Sequence, residues 1–172
     1  MRTLILGGAR SGKSRLAETM AQETGLAVRY IATAQAHDAE MAARIEHHCA
    51  RRPAHWQAIE EPLHLAAALQ ALADPNRCLL VDCLTLWMTN LLLHADPALL
   101  QHERAALLAA LPRLPGPIIL VGNETGMGIV PMGELSRRFS DESGWLHQEL
   151  ASLCDTVLLT VAGLPLTLKG TR

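Results

Sequence analysis

Apolar positions along this chain fall into short continuous runs that alternate with longer segments of helical period. Continuous apolar runs predict strands buried on both faces, and apolar residues three and four positions apart predict helices packed on one face. Strands are predicted at 3–6, 28–32, 78–81, 118–122 and 156–161, with a final edge strand at 164–169. Helices are predicted at 13–24, 38–48, 63–73, 85–93, 97–111 and 134–153. This alternation is typical of an α/β fold with a mostly parallel sheet flanked by helices, here one domain spanning residues 1–172.

Glycine and proline positions refine these boundaries. Gly25 marks the end of the first helix, and Pro53 breaks the chain after the second. Pro62 suits the first helical position before residues 63–73, because its missing N–H needs no partner there. Gly144 is a candidate interruption of the helix at 134–153.

The composition argues against two classes of partner. The 172 residues are 49% hydrophobic and 3% aromatic, so alanine and leucine fill most of a globular core. The net charge of −2 supplies no basic surface for nucleic acid and no polybasic patch for a membrane. The apolar stretch 78–95 is interrupted by Asp82 and other polar residues, which favours a buried strand–helix unit over a membrane span.

Cysteine usage and the N-terminus predict a cytoplasmic protein. The four cysteines form no C-x-x-C pair, and reduced core thiols are the expected state of Cys49, Cys78, Cys83 and Cys154. The chain enters its first strand directly, so no signal peptide is expected.

The segment between the first strand and the first helix carries the clearest chemistry. Residues 7–14 read G-G-A-R-S-G-K-S, which fits the pattern G-x-x-x-x-G-K-[ST]. Backbone N–H groups of such a loop form an anion-binding nest, and the following helix adds its positive end. Lys13 is expected to contact the β- and γ-phosphates, and Ser14 to ligate Mg²⁺. The predicted triphosphate-binding residues are Gly7, Gly8, Ala9, Arg10, Ser11, Gly12, Lys13 and Ser14.

Ligands of parallel sheets bind beyond the carboxyl ends of the strands. Four segments follow apolar runs and are expected on one face of the molecule: 7–14, 33–35, 82–85 and 123–131. Asp82 ends the run at 78–81, the usual place of the second metal-binding element of phosphate-loop enzymes. We therefore expect it beside Ser14 and Mg²⁺, with capping of the next helix as the alternative.

Residues 44–52, R-I-E-H-H-C-A-R-R, concentrate reactive groups and admit three interpretations. A metal site is disfavoured, because adjacent histidines on a helix diverge by about 100°. A solvated polar helix end is the second interpretation. The third is a histidine nucleophile, in which neutral imidazole attacks a phosphorus centre while the arginines neutralise the phosphate.

Residues 123–131 read N-E-T-G-M-G-I-V-P at the same predicted edge. The two glycines allow close approach of the backbone to a ligand. Glu124 is a candidate base or ligand, and a purely structural turn is the alternative.

Four motifs together resemble one family. They are the phosphate loop, Y-I-A-T at 30–33, D-x-E-M-x-x-R-I-x-x-H at 38–48 and N-E-x-G-M-G-I-V-P at 123–131. This combination closely resembles the bifunctional adenosylcobinamide kinase / adenosylcobinamide-phosphate guanylyltransferase family of cobalamin biosynthesis, over almost the whole chain. The resemblance implies a RecA-like P-loop NTPase fold and a homo-oligomer that acts on a small-molecule corrinoid.

Two reactions are implied by the resemblance. ATP or GTP first phosphorylates the hydroxyl of the aminopropanol arm of adenosylcobinamide. GTP then guanylylates a histidine of the enzyme, and the GMP passes to adenosylcobinamide phosphate to give adenosylcobinamide-GDP.

The resemblance also implies roles for individual residues. His48 is the expected guanylylated residue, because R-I-x-x-H-x-x-x-R matches Arg44, Ile45, His48 and Arg52, and the adjacent His47 is the alternative. Nucleotide-binding roles are implied for Thr33, Arg52, Glu60 and Asp82, with Mg²⁺ held at Ser14 and Asp82. A kinase without guanylyl transfer and a nucleotide-operated switch or assembly ATPase are the competing functions.

Overall fold

The computed structural model describes residues 1–35 and 53–170 and places seven strands in one sheet. The strands are β1 Arg2–Gly7, β2 Ala27–Ala32, β3 Gln57–Glu60, β4 Arg77–Asp82, β5 Ile118–Asn123, β6 Thr156–Val161 and β7 Leu164–Lys169. They lie in the order β3-β2-β4-β5-β1-β6-β7. Each neighbouring pair is parallel except β6 and β7, which form an antiparallel hairpin. The prediction of a mostly parallel sheet with a final edge strand is confirmed.

The described helices flank this sheet. They are α1 Lys13–Glu23, α2 Leu65–Leu72, α3 Leu84–Leu92, α4 Leu99–Ala110 and α5 Glu134–Leu153, with a 3₁₀ turn at Leu111–Arg113 after α4. The helix predicted at 38–48 falls outside the described residues.

Strand periodicity divides the core into two apolar clusters. Leu4 and Leu79 belong to the cluster that contains Trp87, and their chain neighbours Ile5 and Leu80 belong to the other cluster. Because successive side chains of a strand point to opposite faces, the two clusters lie on the two sides of the sheet. Trp87 is completely buried, and its indole N–H donates to the Leu63 carbonyl at 2.7 Å, which satisfies the one polar atom that this side chain buries.

Two details in this part of the chain differ from the sequence prediction. Strand β3 was not predicted, because Q-A-I-E is a mostly exposed edge strand with no apolar run, and its pairing with β2 produces it. Helix α2 begins at Leu65 rather than at Pro62. The Glu61 carboxylate accepts hydrogen bonds from the backbone N–H groups of Leu63 (2.9 Å) and His64 (2.7 Å), so a side-chain turn precedes the helix.

Helix α5 continues through Gly144 without interruption. A Cβ at this position would meet nothing within 4 Å, so the glycine is not required by packing. The buried residues Leu146 and Leu150 continue the core-facing stripe beyond it, and this tertiary packing outweighs the low helix propensity of one glycine.

The parallel register brings the predicted site segments to one edge of the sheet. Gly7 at the end of β1 pairs with Asn123 at the end of β5, and Ala32 at the end of β2 pairs with Asp82 at the end of β4. The four segments expected on one face therefore follow strands that end side by side, as predicted.

Two further expectations concern thiols and membranes. Cys78 and Cys154 are buried free thiols, and burial raises the pKa of each to about 11, so both are protonated at neutral pH. Burial also raises the pKa of Cys83 to about 11. Cys49 lies outside the described residues. Within residues 1–35 and 53–170, no helix has the length and apolar character needed to cross a membrane.

Candidate nucleotide site at the carboxyl edge of the sheet

The loop between β1 and α1 has the backbone of an anion cradle. Arg10 and Gly12 both adopt positive φ, at 56° and 96°, and the Ser11 N–H donates to the Gly8 carbonyl at 3.2 Å. Left-handed residues within such a turn direct successive N–H groups towards one point, which is the geometry of a phosphate nest. The rim residues Gly8, Ala9 and Arg10 are exposed, so the cradle is open to solvent.

Lys13 places its ammonium over this loop. Its Nζ donates to the Gly8 carbonyl at 3.1 Å, and the residue is 9% exposed. Burial lowers the pKa of Lys13, and the nearby Asp82 carboxylate opposes that shift. A bound triphosphate would supply the negative charge that a partly desolvated ammonium favours.

The β6–β7 turn braces the cradle from behind. The Gly163 N–H donates to the Ser11 carbonyl at 2.8 Å, and Ala162 and Gly163 both have positive φ. A Cβ added to Gly12 would lie 3.1 Å from the Gly163 Cα, so the two backbones are in close contact. Sequence reasoning missed this brace, because nothing in the local sequence around Gly163 indicates which distant segment it touches.

Asp82 ends β4, as predicted, and its carboxylate acts electrostatically on Lys13. Its expected place beside Ser14 and Mg²⁺ stays a prediction. The Tyr30 hydroxyl donates to Asp82 Oδ2 at 3.0 Å and orients the carboxylate. The motif at 30–33 contains Tyr30 but does not indicate this orienting role, which depends on the pairing of β2 with β4.

The donor set at this edge fits a magnesium ion. Ser14 lies on the first turn of α1 and Asp82 at the end of β4, so a hydroxyl and a carboxylate flank the cradle. In the part of the chain that the structure describes, no group of three or more His, Cys, Asp or Glu residues could hold a metal by itself. Mg²⁺ in phosphate-loop enzymes needs no such group, because substrate phosphates and water complete its shell.

Thr33 is completely buried beside Asp82 and joins two of the site segments. Its hydroxyl donates to the Cys83 carbonyl at 2.6 Å and accepts from the Cys83 N–H at 3.0 Å. The Asn90 side-chain amide donates to the Thr33 carbonyl at 2.8 Å and to the Pro62 carbonyl at 3.0 Å. The Thr33 side chain therefore positions the loop after β4, and its predicted nucleotide-binding role stays a prediction.

Main-chain N–H groups tie the end of β5 and the segment after it to the phosphate loop and to α3. The Glu124 N–H donates to the Gly7 carbonyl at 3.1 Å, and the Asn123 N–H donates to the Thr85 hydroxyl at 2.7 Å. Beyond Glu124, four apolar side chains are exposed by 74–97%: Met127, Ile129, Val130 and Met132. An apolar surface of this kind next to a polar cradle suits a large apolar ligand.

The remaining predicted residues divide into two groups. Glu60 is exposed at the end of β3, on the far side of β2 from the cradle. His47, His48 and Arg52 lie outside the described residues, so their predicted roles are untested by the geometry.

A model of the cobinamide kinase / cobinamide phosphate guanyltransferase family matches residues 3–168. The chain belongs to this family. It is 68% identical over 170 residues to the bifunctional adenosylcobalamin biosynthesis protein CobP of Pseudomonas aeruginosa, covering 99% of this chain and 98% of that one. It is 42% identical over 182 residues to the bifunctional adenosylcobalamin biosynthesis protein CobU of Escherichia coli K12, covering 98% and 100%. The family resemblance read from the motifs is confirmed.

Solved structures confirm the fold class. A protein of Pyrococcus horikoshii OT3 superposes with a TM-score of 0.60 at 11% identity, covering 99% of this chain and 87% of that one. The RadB recombinase superposes with a TM-score of 0.51 at 17% identity, covering 92% and 73%. These identities are low, so the likeness concerns the RecA-like P-loop fold alone.

Proposed function

We propose that this member of the cobinamide kinase / cobinamide phosphate guanyltransferase family binds GTP or ATP in the cradle at residues 7–14 and uses it in both reactions. In the first reaction a nucleoside triphosphate phosphorylates adenosylcobinamide. In the second, GTP guanylylates His48, and the GMP passes to adenosylcobinamide phosphate. The observation that carries the nucleotide part is the Lys13 ammonium lying over the loop beside Asp82. A kinase without guanylyl transfer is not favoured, because the relatives are named as bifunctional proteins.

Roles within the site follow from the chemistry of each group. Lys13 and the loop N–H groups hold the phosphates. Ser14 and Asp82 would hold Mg²⁺, which when bound neutralises phosphate charge. Tyr30 orients Asp82 at 3.0 Å. Thr33, Arg52 and Glu60 are the further nucleotide-binding residues of the proposal.

The corrinoid is proposed to lie over the exposed apolar segment after Glu124. Met127, Ile129, Val130 and Met132 present apolar side chains to solvent there. The segment begins directly beside the cradle, so a corrin face packed on these side chains would bring the substrate arm to the phosphates. The working unit is proposed to be a cytoplasmic homo-oligomer of one-domain chains.

Mass analysis of both protein and corrinoid tests the proposal. Wild-type enzyme with GTP, Mg²⁺ and adenosylcobinamide is expected to gain GMP and to produce adenosylcobinamide-GDP. Label from α-³²P-GTP on the protein should be acid-labile and base-stable, as expected of a phosphoramidate at histidine.

Three variants assign the roles. His48→Ala should lose the GMP adduct and keep kinase activity, whereas the matched variant His47→Ala should keep both. Lys13→Ala should lose both, because each reaction needs the triphosphate held. Full GMP transfer by His48→Ala would show that the nucleophile has been assigned to the wrong residue.

A further inference from the structure

In the proposed function, only one step uses a nucleophile that must lose a proton as it attacks. The kinase step uses an alcohol, which is a weak nucleophile until a base removes its proton. The imidazole of His48 attacks with a nitrogen lone pair, and the corrinoid phosphate is already an anion. A general base beside the cradle is therefore needed for the kinase step alone.

Strand order determines which described carboxylates at this edge lie near the cradle. Glu124 follows β5, the immediate neighbour of β1, whereas Asp82 ends β4, two strands away, and Glu60 ends β3, four strands away. With strands spaced by about 4.8 Å, these backbone separations from Gly7 are about 5, 10 and 19 Å. Among the described carboxylates that follow or end these strands, Glu124 thus has the backbone nearest Gly7.

The Glu124 carboxylate is held in place rather than freely solvated. Its backbone N–H donates to the Gly7 carbonyl at 3.1 Å, and its Oε1 accepts from the Gly126 N–H at 2.6 Å. The residue is half-buried at the start of the segment proposed to carry the corrinoid.

His147 of α5 lies behind this carboxylate. It is buried, and a Cβ on Gly122 would lie 3.0 Å from its Nε2, so the glycine makes room for the ring. Burial lowers the pKa of His147, and the Glu124 carboxylate opposes that shift. A neutral imidazole leaves Glu124 free to accept a proton instead of sharing one in an ion pair.

We infer that Glu124 is the general base of the kinase reaction. As the adenosylcobinamide hydroxyl oxygen bonds to the γ-phosphorus, the bond from that phosphorus to the β,γ-bridging oxygen breaks. The nucleoside diphosphate leaves with the electron pair, and the hydroxyl proton passes to a carboxylate oxygen of Glu124. Asp82 does not take this role, because it is oriented by Tyr30 and assigned to Mg²⁺. The inference rests on the proposed function, since the hydroxyl belongs to its substrate.

The test compares Glu124→Gln with Glu134→Gln. The first variant keeps the shape and the acceptor oxygen for the Gly126 N–H but removes the basic group. The second removes an exposed carboxylate from the first turn of α5 and serves as the matched control. The kinase kcat of Glu124→Gln is expected to fall by about 10²–10⁴-fold, the usual contribution of general base catalysis. The acidic limb of its kcat–pH profile should also disappear.

Guanylylation assays distinguish a general-base role of Glu124 from a purely structural role. Glu124→Gln should gain the GMP adduct and convert adenosylcobinamide phosphate at rates within about threefold of wild type, because neither step requires this base. A kinase rate and pH profile like those of wild type would overturn the inference, as would parallel loss of both activities. Failure of the wild-type enzyme in both reactions would instead count against the proposed function.

Discussion

Replacing Gly12 by alanine is expected to disturb the phosphate loop more than replacing Gly163, the glycine of the β6–β7 turn that contacts Gly12. Gly12 has a φ of 96°, and a left-handed conformation costs a residue with a Cβ about 1–2 kcal/mol. The new Cβ would lie 3.1 Å from the Gly163 Cα, so the loop or the β6–β7 turn must shift by a few tenths of an ångström. Gly12→Ala should therefore weaken phosphate binding as well as stability.

Gly163→Ala is the matched control for this effect. Its φ of 79° carries similar strain, but a Cβ there meets nothing within 4 Å. For a chain of this size each kcal/mol lowers the melting temperature by about 2–4 °C, so both variants should melt about 2–8 °C below wild type.

Calorimetric titration with GTP distinguishes the two substitutions. Gly12→Ala should bind GTP about tenfold or more weakly, because a displaced cradle loses on the order of 1.4 kcal/mol of phosphate binding. Gly163→Ala should bind GTP like wild type. Equal loss of affinity in both variants, or full affinity in Gly12→Ala, would refute the reasoning that close contact at Gly12 sets the loop geometry.

Two further predictions concern the corrinoid surface and a charged pair. Ile129 is 97% exposed, and burying such a side chain is worth about 1.5–3 kcal/mol, so Ile129→Asp should raise the KM for adenosylcobinamide about tenfold or more. Its self-guanylylation should be unchanged, and size-exclusion chromatography showing a changed oligomer would contradict a substrate-binding role. The hydrogen bond to Glu103 raises the pKa of His64, and the Glu61 carboxylate acts in the same direction. The stabilisation of the folded state by the His64–Glu103 pair is therefore fully present below pH 6.5, and it is lost as the pH rises through the raised pKa of His64. Melting temperatures of wild type and His64→Gln should differ most below that pH, and a gap that widens at high pH would contradict the assignment.

The sequence by itself determined the elements with strong local signals. The apolar runs of β1, β4 and β5 predicted buried strands, because a strand covered by helices on both faces needs apolar side chains on both. The phosphate loop was predicted in place because its function requires a fixed spacing of glycine, lysine and serine. The family followed from four short motifs, and the family model matches residues 3–168.

Tertiary structure decided what local patterns do not encode. The edge strand β3 forms because β2 offers it a pairing partner, and Glu61 delays the start of α2 through its own hydrogen bonds. The brace from Gly163 to Ser11 and the placement of His147 behind Glu124 depend on which elements pack together. Side-chain periodicity fixes which face of an element is buried, but contacts between distant segments arise from the packing of the whole sheet. For that reason the cradle could be predicted from sequence, and its supporting contacts could not.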